Sequence, residues 1–224
     1  HFSEADIADK EWAHEQHSRF SAFIDALKEA GVTFNIHHCC NSAGTLELPD
    51  FHREMIRPGI IQYGYDASKE VLVTGTKIKP VMSLRCCITH LKTIYEGDCV
   101  GYGRHFTATG PTKIATLPIG YADGYNRALS SKIDVIVHGV RAHQVGNICM
   151  DQCMIDVSHI PDVKVGDEVV LFGEQGSECV SADEIADTCH TIIHEITCNI
   201  NRRVPRIYVQ NGKIVQRLEY LTQS

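Results

Sequence analysis

Ser42, Arg57, Gly59 and Ile60 are the residues whose types and spacing point first to chemistry. They lie in His38-Cys39-Cys40-Asn41-Ser42 and, a little further on, in Arg57-Pro58-Gly59-Ile60. A phosphorylated cofactor needs such a set. The Ser42 hydroxyl can donate to a phosphate oxygen, Gly59 lets the backbone approach closely, and the N–H groups of Gly59 and Ile60 can share one pocket. Arg57 is then free to face the cofactor's ring. The same residues also admit a plainer reading, in which Ser42 caps a helix and Arg57 is a surface cation at a turn.

Two tyrosines stand between glycines: Tyr102 in Val100-Gly101-Tyr102-Gly103, and Tyr121 in Ile119-Gly120-Tyr121-Ala122-Asp123-Gly124. Close packing or turning at the glycines leaves each phenol to project. A tyrosine acting as a base near neutral pH must lose a proton from a group of unperturbed pKa of about 10. That requires about 3 units of depression, roughly 4 kcal/mol, and a cationic network to supply it. Without one, each tyrosine is a packed strand residue. Cys189, His190, His194 and Cys198 have ligand types suited to zinc, and the last three recur every four residues. On one helix, however, three such positions span about 12 Å, too far for one ion. A half-buried helix face is the simpler expectation. Cys149 and Cys153, in Cys149-Met150-Asp151-Gln152-Cys153, read as packing residues on one side of a strand rather than a redox pair.

These residues need elements to hold them. Ser3-Glu4-Ala5-Asp6 reads as a capping start for a helix over residues 5–30, with Ile7, Trp12, Phe20, Phe23, Ile24 and Leu27 near helical spacing and Gly31 as terminator. A strand is expected over 32–40, a short helix over 42–48 and a strand over 55–63, the alternation of a parallel α/β unit, either a barrel segment or a doubly wound fold. From Val71 onward, short runs punctuated by glycine predict a mostly antiparallel β domain, with strands within 81–91, 99–103, 113–119, 135–137, 154–157 and 168–172. Residues 163–167 read as a turn. Ser181-Ala182-Asp183-Glu184 opens a helix running toward Ile192. Arg206-Ile207-Tyr208-Val209 and residues 213–218 flank an Asn211-Gly212 hairpin turn.

The chain has 224 residues, 43% of them hydrophobic, and Lys and Arg number 21 against 28 Asp and Glu, for a net charge of −7. With no basic cluster to track a phosphodiester backbone, nucleic acid is not an expected partner. No apolar run approaches the roughly 20 residues that span a bilayer, so no membrane contact is expected within these residues. Ten cysteines without a signal peptide read as reduced, mostly buried thiols of a cytoplasmic-type compartment. The chain starts at His1 rather than Met and enters at once what reads as a strand end, as a part of a longer protein would.

Taken together, these stretches resemble the alanine racemase family, pyridoxal-phosphate enzymes with an N-terminal (β/α)8 barrel and a C-terminal β domain. The matching stretches are His1-Phe2, residues 38–43, Arg57-Pro58-Gly59-Ile60 through Tyr63-Gly64, residues 79–84, Gly101-Tyr102-Gly103, residues 114–125, Val145-Gly146, residues 149–152, Val165-Gly166-Asp167-Glu168 and Arg203-Val204-Pro205-Arg206. They follow the family's order over nearly the whole chain. The resemblance implies the second half of a (β/α)8 barrel over residues 1–68 and a mostly antiparallel β domain over 69–224. It implies that Ser42, Gly59 and Ile60 bind the phosphate of pyridoxal 5'-phosphate and that Arg57 hydrogen-bonds the ring nitrogen, buttressed by His1 and His38. An Arg there does not give up its proton, so the ring nitrogen stays unprotonated, which favours simple proton exchange over transamination.

Tyr102 matches the catalytic base for one enantiomer, supplied across a homodimer interface to the partner's cofactor. Tyr121, Met150 and Asp151 match residues on the substrate side of that shared site. Two departures stand out. The family's cofactor lysine, also its second base, lies in the barrel half that has no counterpart here, and neither Lys10 nor Lys28 is placed to replace it. His194 stands where the family commonly has a Tyr that touches the phosphate and bounds the substrate pocket. The implied activity is two-base racemisation of alanine, supplying D-alanine for peptidoglycan in the cytoplasm. One alternative is a serine racemase of the glycopeptide-resistance type, tethered to a membrane by an upstream domain. Another is an inactive cofactor-binding or interaction protein without the lysine half.

Overall fold

In the computed structural model, which describes residues 1–70 and 78–221, the chain forms two units, His1–Val81 and Met82–Ser224. The expected start of the β pattern at Val71 lies outside the described residues.

The first unit is built on helix α1 (Glu11–Glu29) and the short α2 (Ser42–Glu47), with 3-10 turns at Pro49–Phe51 and Ile60–Tyr63. Helix α1 starts six residues later than the capping pattern predicts. Ala5 is fully buried, and Lys10 Nζ donates to the carbonyls of Ala5 and Ile7, both at 2.6 Å, tying 5–7 into a turn. The helix ends as expected, with Gly31 at φ +80° and Val32 N–H donating to Leu27 O. Its apolar residues are poorly covered: Ala13 is buried, whereas Trp12 and Phe23 are exposed.

Neither strand expected in this unit forms. A strand is defined by a neighbour's hydrogen bonds, and among the described residues the first unit holds no ladder; Val32, Phe34 and Ile36 stand exposed. One trace of parallel pairing remains. Arg57 N–H donates to Cys40 O at 3.0 Å and Gly59 N–H to Ser42 Oγ at 2.9 Å. Both bonds join residues at the same separation, so the two segments run side by side in one direction. Beneath them Phe2, Ala5, Ala13, Cys39, Cys40, Ala43, Leu48 and Phe51 make a small core.

In the second unit the strands are β1 (Leu84–Cys87), β2 (His90–Ile94), β3 (Cys99–Val100), β4 (Phe106–Thr107), β5 (Thr112–Leu117), β6 (Asp134–Val137), β7 (Val140–Val145), β8 (Cys153–Asp156), β9 (Glu168–Gln175), β10 (Glu178–Val180), β11 (Arg206–Gln210) and β12 (Lys213–Leu218). An eight-stranded sheet orders them β1-β9-β6-β7-β8-β5-β2, with β10 also on β9. Its pairings are antiparallel. Strands β3 and β4 form a separate pair, as do β11 and β12. Residues 169–172 of β9 and 135–137 of β6 are buried at every position rather than alternately, which marks cover on both faces.

Helix α3 (Ala182–Cys189) is capped by Ser181, whose side chain accepts from Glu184 N–H. It stops at Cys189 rather than near Ile192, because His190 turns into the left-handed region at φ +56°. A new helix, α4 (Ile193–Asn199), follows. His190, His194 and Cys198 therefore do not share one continuous helix, and the described residues hold no cluster of three or more metal-ligating side chains. Cys149 precedes β8 in a loop, its N–H bonded to Gln152 O, so it does not share a strand face with Cys153. All ten cysteines are free, but only Cys39, Cys40 and Cys153 are buried, fewer than expected. No helix among the described residues is long and apolar enough to cross a membrane.

Candidate active site

In the first unit the site begins with a division of labour between neighbours. The side chain of Asn41 accepts from Gly44 N–H at 3.0 Å and caps α2. Ser42 is therefore released from the capping role. It is buried, and its hydroxyl oxygen lies 2.9 Å from the N–H of Gly59. A Cβ on Gly59 would come within 3.6 Å of that oxygen, so glycine keeps open the space beside the hydroxyl. Ile60 follows directly, buried at the start of its 3-10 turn. Ser42, Gly59 and Ile60 thus lie side by side as one cradle, with the Gly59 N–H turned onto the Ser42 hydroxyl oxygen.

Arg57 sits at its edge. Phe2 packs over Gly44, where a Cβ would lie 3.0 Å from its ring, and this carries His1 to Arg57; Arg57 Nη2 approaches His1 Nδ1 to 2.5 Å. The other terminal nitrogen, Nη1, is buried without a hydrogen-bond partner. A buried cationic donor left unpaired is costly. It fits an acceptor such as a pyridine nitrogen, and with the adjacent cradle it suits a ring that carries a phosphate. His38 is exposed and makes no hydrogen bond to Arg57. Lys10 is committed elsewhere, to Ala5 O, Ile7 O and Glu47.

In the second unit Ile94, Val100, Ala108, Ile114, Val145 and Met154 make a small apolar platform with Phe106 packed against it, and Tyr102 follows two residues after Val100. Gly101 and Gly103, at φ +71° and +77°, turn the chain on each side, and Asn147 Nδ2 donates to the Tyr102 carbonyl at 2.8 Å. The phenol is left 77% exposed. Nearby in sequence, Cys99 Sγ lies 3.3 Å from Arg104 Nε and 3.4 Å from Thr107 Oγ1. The Thr107 hydrogen bond, aided by the Arg104 guanidinium, holds its thiol pKa below the ordinary cysteine value.

Tyr121, Met150 and Asp151 are brought together. Tyr121 N–H donates to Cys149 O and Ala122 N–H to Met150 O, each at 3.0 Å. A Cβ at Gly120 would collide with the carbonyl oxygens of both Cys149 and Met150, which is why glycine precedes the tyrosine. The buried Asp123 accepts from Gly120 N–H at 2.8 Å and from Arg203 Nε at 2.6 Å, while Arg203 Nη2 reaches Asp151 at 2.6 Å. The Asp123 hydrogen bond, then that of Asp151, pushes the Arg203 pKa above its ordinary value. His194 is exposed in the first turn of α4. Sequence reasoning does not single out Asn147, Asp123 or Arg203. The one available signal for Arg203 was its place in Arg203-Val204-Pro205-Arg206.

With a half-buried Arg57 beside Ser42 and Gly59 in one unit and a glycine-flanked Tyr102 displayed by an antiparallel β unit, the chain belongs to the alanine racemase family. Models of the alanine racemase N-terminal and C-terminal domains match residues 1–67 and 81–208. The expected fold class, barrel-domain segment followed by a mostly antiparallel β domain, is the family's. Among particular relatives, the chain is 45% identical over 221 residues to alanine racemase 1 of Clostridium acetobutylicum, covering 99% of this chain and 57% of that protein. The alanine racemase of Clostridium difficile 630 in complex with cycloserine superposes with a TM-score of 0.91 at 42% identity, over 99% of this chain and 58% of that one. That of Bacillus anthracis with bound L-Ala-P gives 0.94 at 37% identity, over 99% and 57%. The chain thus spans somewhat over half the length of the relatives it matches.

Proposed function

We propose that the chain acts, with a lysine-bearing barrel half, as a pyridoxal-phosphate-dependent amino-acid racemase that interconverts L- and D-alanine. The observation that carries this reading is the buried, unpartnered Nη1 of Arg57 beside the Ser42–Gly59 cradle, in a chain of this family. Ser42, Gly59 and Ile60 would hold the cofactor's phosphate, and Arg57, braced by His1, its ring nitrogen. When bound, pyridoxal phosphate supplies an electron sink for negative charge at the substrate's α-carbon. Arg57 keeps its own proton and donates a hydrogen bond without transferring it. Tyr102 Oη takes or returns the α-proton on one face of the substrate, and the lysine of the other barrel half serves the opposite face. Tyr121, Met150 and Asp151 bound the substrate. Tyr102 serves the site of a second copy in a homodimer, and His38 and His194 complete the cofactor surroundings. The protein works in the cytoplasm.

The test is racemisation of each alanine enantiomer by the complete protein, followed by circular dichroism. Tyr102→Phe should lower the rate at least about 10²-fold, the lower range for lost acid–base catalysis. Exchange of the α-proton with solvent should suffer more from one enantiomer than from the other, while cofactor binding persists. Equal, small losses with both enantiomers would make Tyr102 a structural residue. The reading as an inactive binding protein predicts no visible band of lysine-bound cofactor in the complete protein.

A second reading, a serine racemase, is favoured by one observation: an exposed imidazole at His194, with a ring nitrogen free to face a substrate hydroxyl.

A further inference from the structure

Arg203 occupies an unusual place for a residue with no assigned role. Its guanidinium joins two carboxylates far apart in the chain, Asp123 at Nε and Asp151 at Nη2, both at 2.6 Å. Each of those carboxylates belongs to one side of the same joint. Asp123 closes the Gly120–Gly124 turn through Gly120 N–H, and its own carbonyl accepts from Asn201 N–H at 2.8 Å. Asp151 ends the Cys149–Asp151 segment, whose carbonyls at Cys149 and Met150 receive the N–H groups of Tyr121 and Ala122. Two backbone bonds thus hold the turn and the segment edge to edge, and Arg203 spans the joint beside them.

We propose that Arg203 is the positioning residue of the substrate-side wall, fixing Met150 and Asp151 against Tyr121 so that the pocket fits a small amino acid. This rests on the racemase reading above. A contribution to stability alone is a poor account of the residue. The Asp123 arm is sheltered, with that side chain 11% exposed, but the Asp151 arm is open to water, with side chains 33% and 61% exposed, and so open an ion pair adds little to folding. Geometry is what such a fork controls: two N–H groups of one rigid plane fix both carboxylates in register, which a lysine's single charge cannot do.

The proposal predicts that Arg203→Gln in the complete protein raises KM for alanine about tenfold and changes kcat by less than about threefold, the pattern of lost binding common to ground and transition states. The melting temperature should fall as well, because the sheltered Asp123 carboxylate loses its cationic partner, so the KM-against-kcat split and the exchange rates carry the test. Amide hydrogen exchange at Tyr121 and Ala122 should quicken about tenfold, since local opening there becomes easier. Arg203→Lys should fall between the two, restoring charge without the fork. An unchanged KM, or unchanged exchange at both amides, overturns the proposal, as does a fall in melting temperature with KM and kcat both kept. Should the unsubstituted protein racemise nothing, the functional reading fails instead, and exchange at Tyr121 and Ala122 still decides whether Arg203 holds the joint.

Discussion

At the scale of single residues, Ser42 and Asn41 show how a neighbour decides what a side chain is free to do. Both can cap a helix; Asn41 takes the Gly44 N–H, and the Ser42 hydroxyl is left facing Gly59. His194 raises a comparable question of occupancy. If it stands where the family has a phenol, an imidazole leaves more room and offers a nitrogen to a hydroxymethyl side chain, avoiding the roughly 1–3 kcal/mol cost of burying that hydroxyl unpaired. His194→Tyr should therefore shift the ratio of kcat/KM values toward alanine over serine by about tenfold, or about 1.4 kcal/mol. Assays of both substrates with both proteins check it, and a ratio that stays put removes His194 from the pocket wall. Cysteine reactivity gives a test that needs no cofactor. Burial pushes the thiols of Cys40 and Cys86 up to about 12, whereas Thr107 and Arg104 lower that of Cys99. Brief alkylation near neutral pH, mapped by mass spectrometry, should mark Cys99 well before either of the others. Arg104→Ala should slow it.

The elements that carry the site are held by turns as much as by strands. The turn entering β9 is an example: the Asp167 carboxylate accepts from Lys164 N–H at 2.9 Å and meets His138 Nε2, from the β6–β7 turn, at 2.8 Å. The Lys164 hydrogen bond lowers the Asp167 pKa; burial opposes it by less, and the charge and hydrogen bond of His138 add to the lowering. A carboxyl whose folded pKa lies below its unfolded value of about 3.9 adds stability above that value and loses it as pH falls through the folded one. Asp167→Asn should accordingly weaken the protein against urea at pH 7, and the gap between the two proteins should close in strong acid. A gap that is constant with pH would mean the turn does not depend on the charge. Elsewhere in the same unit, glycines at 101 and 103 let a two-residue strand, β3, hand the chain to Tyr102 and bring it back as β4. A pair so short is stable only on the apolar platform beneath it.

For the whole molecule, the two units carry different parts of the proposed chemistry, and neither Lys10 nor Lys28 is placed as a covalent anchor for the proposed cofactor. Lys10 is bound to backbone carbonyls and Glu47, and Lys28 lies in the last turn of α1. These 224 residues alone should not racemise alanine, and supplying the lysine-bearing barrel half in trans should restore activity. Racemisation by the chain alone, lost in Tyr102→Phe, would refute this. The exposed Val32, Phe34 and Ile36 fit the same expectation, because alternating apolar residues without a ladder partner form no strand by themselves.

What the sequence determined by itself is what short stretches encode. The Asn211-Gly212 turn, at φ +51° and +72°, brings β11 and β12 together with Gln210 opposite Lys213, as the two turn residues require. Ser181 caps α3, Gly31 ends α1, and the ordered run of motifs announces the family. Tertiary structure decided whatever depends on distant partners. Residues 32–40 and 55–63 carry strand composition yet form no strand, because pairing belongs to the neighbour as much as to the segment. The helix start at Glu11 follows from Lys10 reaching back to Ala5 and across to Glu47. Most of all, the joint of Tyr121, Met150 and Asp151 depends on Arg203, 80 residues from Asp123 and 52 from Asp151. A local pattern has no means of recording a contact at that separation; the pairing of β5 with β8 brings the Asp123 and Asp151 segments together, and Asn201 N–H on the Asp123 carbonyl brings in the stretch that carries Arg203.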